Sequence, residues 1–278
     1  MVGDLPKSEE SNKTLIELAD SPDFLQLRKE FLAYVEHRHA EFGLSRDFQG
    51  ICGSLGIRVV PTEIPGERSF YSALGGQPII HLDSSEPPTR SAFSLAHELC
   101  HYFFDEDEHA FKATLEDTHR NATPEALRDM EEELCLSGAG VLLFPSSTVE
   151  RALSRHGLHP QAVIDLIQQG GSMHAALRRV IETHMSMQLW GFVVDRNDRI
   201  EYHHKTRKYQ PAKNAQLPPM HPILAARSGY IETKAPAHFK QSWPIFFRAI
   251  EYKNRIIAIG GSPRLPDLPN AAQGTLFG

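Results

Sequence analysis

An α+β fold is predicted by three observations. Apolar residues at helical spacing dominate much of the first two-thirds of the chain. A pair of short strand-like runs interrupts them around a glycine turn, and from Gln188 onward the period becomes strand-like. The first helix is read from Asp23, taken as its N-cap, with Phe24, Leu27, Phe31, Leu32 and Val35 at three- and four-residue steps. A short second helix spans Phe48 to Leu55 and stops at Gly56. Ile57 to Val60 reads as a strand halted by Pro61. Ser69 to Leu74 and Pro78 to Leu82 read as two more strands, around Gly75-Gly76.

Pro87-Pro88 breaks the chain ahead of a helix that buries Phe93, Ala96, Cys100 and Phe104. The acidic stretch Asp105 to Asp117 is expected to be a surface loop. A long helix then runs from about Pro124, after Thr123, to Leu143. Three short helices are expected over Val149–His156, Gln161–Gln169 and His174–Met185. Strands are expected at Leu189–Val194, Ile200–Tyr202, Tyr230–Thr233, Ile245–Tyr252 and Arg255–Gly260, with an Ala-rich helix after His221-Pro222. The implied division is a flexible N-terminus 1–20, a first domain 21–146, a helical region 147–186, a strand-rich domain 187–262 and a flexible tail 263–278, in which Leu276-Phe277 is a candidate docking tag.

Composition narrows the function. The 278 residues are 41% hydrophobic and 23% charged, with a formal net charge of -6, which is globular rather than nucleic-acid-gripping. Three cysteines, Cys52, Cys100 and Cys135, do not make a disulfide framework. Met1 to Lys13 is polar and no apolar run reaches the ~18 residues of a membrane helix. A cytoplasmic location without membrane contact is therefore expected.

Chemistry concentrates in His97-Glu98-Leu99-Cys100-His101. Histidines at i and i+4 share one helix face, so both imidazoles can address one ion. Zinc held by neutral nitrogen and a carboxylate keeps a position for water, and Glu98, next to the first ligand, is placed to act as general base. A third ligand is required. Glu131, Glu132 and Glu133 point in successive directions around the long helix, and the small residues Cys135, Ser137, Gly138, Ala139 and Gly140 let that helix come close. Glu132 shares a stripe with Cys135 and Ala139 and is the choice on packing grounds.

Ser94-Leu95-Ala96-His97-Glu98, then Glu132-Glu133-Leu134-Cys135 leading into Leu142-Leu143-Phe144-Pro145, resemble the ImmA/IrrE family of metallopeptidases. The Ile79–Ser84 strand and the Arg90-x-x-Phe93 lead-in fit the same pattern. The layout beyond it is similar to the IrrE (PprI) proteins of Deinococcus. That resemblance implies a zincin-like metallopeptidase domain, a helix-turn-helix-like middle and a GAF-like α+β C-terminal domain. It implies Glu132 as third metal ligand, Zn2+ as cofactor with Mn2+ as the alternative, and cleavage of an XRE-type helix-turn-helix repressor such as DdrO, relieving repression of stress or DNA-damage genes. The longer acidic segment between His101 and Glu132, and Cys100 inside the motif, depart from the Deinococcus pattern.

Other features admit two readings each. Ile79–Leu82 is either an edge strand for an extended substrate or a plain hairpin strand. Tyr71, His81 and Tyr102 are candidate oxyanion donors, with none preferred. Val149 to Met185 carries only Arg151, Arg155, Arg178 and Arg179 against Glu150, Asp165 and Glu182, so a linker or substrate-docking surface is favoured over direct DNA binding. Arg196 to Lys213 reads as a solvated hairpin and His203-His204 as exposed strand histidines rather than a second metal site. The rival to the peptidase is a ligand-responsive transcriptional regulator with a structural metal.

Overall fold

A computed structural model of the chain describes residues 21–63, 69–73, 76–106, 110–206, 215–217, 219, 221–235, 245–262 and 265–266. Residues 1–20 and the Leu276-Phe277 motif lie outside them. The chain divides into two compact units, Met1–Leu143 and Phe144–Gly278.

The first unit starts with α1 (Pro22–Glu41). Its N-cap is Ser21, whose hydroxyl accepts the Phe24 N–H at 3.2 Å; Asp23 instead sits in the first turn, where its charge favours the helix dipole. Helix α2 (Phe48–Ser54) is capped by Asp47 and followed by Gly56 at φ +71°. Strand β1 (Arg58–Thr62) continues through Pro61 instead of stopping there. Its place in the sheet explains this: β1 lies at one edge of a three-stranded sheet, where a missing N–H breaks no ladder.

Strand β3 (Ile79–Asp83) pairs parallel with β1 and antiparallel with β2 (Ser69–Ser72). The edge-strand reading of Ile79–Leu82 is thereby overturned. Both sides of β3 are occupied because β1, distant in sequence, pairs beside it. Among the described residues the open edge of that hairpin belongs to β2.

Helix α3 (Pro88–Asp105) carries the His-Glu-Leu-Cys-His run and buries Leu95, Ala96, Leu99, Cys100, Phe103 and Phe104. The acidic stretch is not an irregular loop throughout: it contains α4 (Phe111–Thr118), whose Phe111 and Leu115 are buried one turn apart. Phe111 stacks edge-on against Phe31, with ring centroids 5.2 Å apart, and Phe31 meets Phe104 at 5.4 Å. Helix α5 (Pro124–Leu143), capped by Thr123, runs past α3. They pack tightly at Gly138, where a Cβ would lie 2.7 Å from the Cys100 sulfur and 3.3 Å from the Phe31 ring.

The second unit opens with α6 (Ser146–His156), α7 (Pro160–Gln168) and α8 (Met173–Glu182). Five antiparallel strands follow: β4 (Gln188–Val194), β5 (Ile200–Lys205), β6 (Ile231–Ala235), β7 (Ile245–Tyr252) and β8 (Arg255–Ser262), in the order β5-β4-β8-β7-β6. One face buries Trp190, Phe192, Val194, Phe247, Ile256 and Ala258 together with Ile223 and Ala226. These last two lie on the Ala-rich helix expected after His221-Pro222, a 3-10 helix spanning Pro222–Ser228. Helices α7 and α8 cover the other face. His204 is not an exposed strand histidine, since its Nε2 lies 3.3 Å from the buried Glu182 carboxylate on α8, which Arg178 also holds at 2.8 Å. Arg179 donates to the Phe144 carbonyl and the Ser146 hydroxyl. Two of the four helical arginines are thus committed inside the unit. The hairpin assigned to Arg196–Lys213 lies partly outside the described residues.

Two expectations follow from this packing. Gly138→Ala should destabilise the first unit in urea unfolding, because overpacking at a 2.7 Å contact, ~2–3 kcal/mol, exceeds the roughly 1 kcal/mol that Ala gains over Gly in a helix. Adding Cys100→Ala should return most of the loss. Separately, burial, then Arg248 and His156, push the His159 pKa down to about 4. The unfolded chain, near the usual 6.5, therefore takes up a proton that the folded ring refuses. Stability from this group is complete above that value and falls as pH drops toward 4, by roughly 3 kcal/mol at most. His159→Asn, which can keep the helix cap, should flatten that part of a pH–melting profile.

Candidate metal centre

The close approach at Gly138 sets Glu132, one and a half turns earlier on α5, beside the two histidines of α3. His97 Nε2 and His101 Nε2 are 3.2 Å apart. Glu132 offers a different oxygen to each ring, at 3.2 Å to His97 and 3.3 Å to His101. Ligand atoms of all three residues lie within 4.8 Å of one another, and among the described residues no other cluster of this kind occurs. Tetrahedral zinc with Zn–N bonds of ~2.05 Å separates two nitrogens by ~3.3 Å, so the donor set and its spacing fit the ion.

The electrostatics point the same way. Hydrogen bonds from the two imidazoles hold the Glu132 carboxyl well below the usual carboxylate range. Burial opposes a charged His101, but its neighbours Cys135, Glu131 and Glu132 outweigh that and raise its pKa. The site therefore favours positive charge among its acceptors. Burial pushes Cys135 up to about 11 and Cys100 well above the ordinary thiol value, so both are neutral thiols in the metal-free chain. Cys100 is fully buried, facing Gly138.

Glu98 is 5% exposed, and burial raises its pKa, an effect that the nearby His97 and His101 and the Tyr71 main-chain N–H temper. Burial thus keeps a carboxyl beside the cluster in a state that can take and return a proton. Of the candidate oxyanion donors, Tyr71 has His101 in its electrostatic surroundings and rests edge-on against Tyr102. Tyr102 is influenced by Glu106 and Arg38, and His81 stacks on Phe70 at 4.4 Å and meets the Thr62 hydroxyl at 3.3 Å.

Sequence reasoning treated Glu131 only as a rival ligand. In the structure its Oε1 lies 3.0 Å from His101 Nδ1, the nitrogen facing away from the cluster. A carboxylate there places the ring proton on Nδ1 and leaves Nε2 free to bind metal. The available signal was adjacency: two glutamates about 100° apart on a helix can meet opposite nitrogens of one imidazole. Among the described residues His97 has no such partner and its buried Nδ1 is unpaired, but its ring stacks on Phe93 at 6.3 Å with a 15° tilt.

Residues 52–160, which include the whole cluster, match the IrrE N-terminal-like domain. Over that stretch the chain is similar to the ImmA/IrrE-family metallopeptidases. It is 31% identical over 91 residues to the radiation response metalloprotease IrrE of Deinococcus deserti, a match covering 33% of this chain and 31% of that protein. Across 90% of the chain and 80% of the other, the fold is similar to that of a Mycobacterium tuberculosis transcriptional regulator, with a TM-score of 0.61 at 14% identity. That likeness is one of fold alone. The ImmA/IrrE family implies a metal, usually zinc, and no helix among the described residues is long and apolar enough to cross a membrane.

If Glu131 orients His101, Glu131→Ala should weaken zinc binding by ~10–100-fold in a chelator competition, with Glu131→Gln less affected because its amide oxygen still accepts. Equal zinc affinity in all three proteins would remove that role.

Proposed function

We propose that this chain is a zinc-dependent endopeptidase, with Mn2+ as the alternative ion, that cleaves a helix-turn-helix transcriptional repressor and so relieves repression of stress or DNA-damage genes. The observation that carries the peptidase reading is the convergence of His97, His101 and Glu132 beside a buried carboxylate, Glu98. In this reading His97, His101 and Glu132 hold the metal, which when bound lowers the pKa of water and polarises the scissile carbonyl. Glu98 takes the proton from the attacking water and returns it to the leaving amine, so the group ends as it began. The open edge of β2 offers a place for an extended substrate. Tyr71 lies on that strand with its main-chain N–H on Glu98, so a chain laid there passes the general base.

Support for a regulatory substrate comes from the radiation response named for the Deinococcus relative. The second reading, a ligand-responsive regulator with a structural metal, draws on the fold likeness to a transcriptional regulator.

Cleavage in vitro separates the two. The purified chain with zinc or manganese should make a single cut in the repressor encoded nearest its gene, and Glu98→Gln should keep the metal while cutting on the order of 10³-fold more slowly. Full biological activity of Glu98→Gln in cells would instead support the regulator.

A further inference from the structure

The second unit holds a buried polar cluster that the metal chemistry does not use. His159 and Arg248 are each only 2% exposed. They meet on the helix-covered face of the sheet, where α7 starts against β7 and the edge strand β6. His159 caps α7, its Nδ1 accepting the Gln161 N–H at 2.9 Å. A neutral ring with an accepting Nδ1 carries its proton on Nε2, and that buried Nε2 has no partner among the described residues. Arg248 donates from Nη1 to the Leu158 carbonyl at 3.1 Å. Its Nε is buried with no partner among the described residues, while its Nη2 reaches Glu232 Oε1 at 3.5 Å and the Tyr230 hydroxyl is a hydrogen-bonding neighbour of the same guanidinium.

Nε–H and the neighbouring Nη2–H form the side edge of a guanidinium, the fork that takes a carboxylate or phosphate with two parallel bonds. Here Nε of that edge is unmet among the described residues, and its nearest anionic partner, Glu232, stands at 3.5 Å. Tyr230 completes the surroundings: its ring lies 4.7 Å from the His159 imidazole, and its hydroxyl donates to Glu232 Oε2 at 3.4 Å. Glu232, whose side chain is 46% exposed, is thus a loose neighbour that can swing to solvent. Unmet buried donors are destabilising, the more so when charged, and water alone would leave the guanidinium without a close counter-charge.

We propose that Arg248, His159 and Tyr230 form a binding site for a small oxyanion, a carboxylate or a phosphate, which displaces Glu232. One oxygen meets Nε and Nη2 of Arg248, and another meets His159 Nε2. An occupied site ties the start of α7 to β6 and β7, so the ligand would stabilise the second unit, independently of the peptidase reading.

The test is calorimetric titration and thermal unfolding of the full chain with inorganic phosphate, acetate or chloride at constant ionic strength. Phosphate or acetate should bind saturably and raise the melting temperature beyond chloride, and the tighter of the two names the ligand class. His159→Asp keeps a side-chain cap for α7 but places negative charge at the site, and should weaken binding ~10-fold or more. Arg248→Lys, which keeps the charge and loses the fork, should do the same; if it does not fold, His159→Asp carries the test. No saturable response beyond chloride would mean the donors are met by water and overturn the site. Unchanged binding in His159→Asp would place the anion elsewhere and overturn it equally.

Discussion

The contact between α3 and α5 at Gly138 is the constraint on which the metal centre depends. Two helices whose facing residues are cysteine and glycine can approach more closely than two lined with leucine, and here a single methyl would collide with the Cys100 sulfur. That approach carries Glu132 to within 3.3 Å of both imidazoles and sets Glu131 behind one of them. A half-turn of slippage on α5 would face a different glutamate to the histidines. The aromatic trio Phe31, Phe104 and Phe111 ties α3 to α1 and α4, and the Phe31 ring also lies against Gly138 of α5. Packing and chemistry in the first unit are therefore one problem.

Burial then differentiates residues of similar type. Glu98, Glu131 and Glu132 are all carboxylates within a few ångströms of the histidines, yet each meets a different environment. Glu132 is gripped by two rings and stays anionic, whereas Glu98 is enclosed and drawn toward the protonated state. Glu131 touches only the outer nitrogen of His101. Ligand, proton carrier and orienting group are thus separable by position alone. The second unit shows a related economy. Two of the arginines on the helical segment, Arg178 and Arg179, are held inside it, and the histidine expected to be exposed on β5, His204, is paired with a buried glutamate.

Local patterns were legible in the sequence; non-local partners were not. The i, i+4 histidines, the Thr123-Pro124 helix start and the five C-terminal strands could be read because cap chemistry and periodicity are written in neighbouring residues. Glu132 could be chosen because the small residues that follow it on α5 imply a close helix partner. The central position of β3 was hidden, since β1 joins it from twenty residues away. Pro61 misled for the same reason: whether proline ends a strand depends on which edge is open. Helix α4 was masked by acidic residues around a single buried pair, Phe111 and Leu115. Glu131 as an orienting group, and the polar cluster around Arg248, depend on side-chain directions that spacing does not carry.

X-ray absorption at the zinc edge on the zinc-loaded full chain tests the central claim most directly. The account predicts one zinc per chain with two imidazole nitrogens and carboxylate or water oxygen, and no sulfur. Sulfur at the ~2.3 Å of a zinc–thiolate bond would contradict it, because the metal would then sit on Cys100 or Cys135 instead of between the two helices' histidines and Glu132.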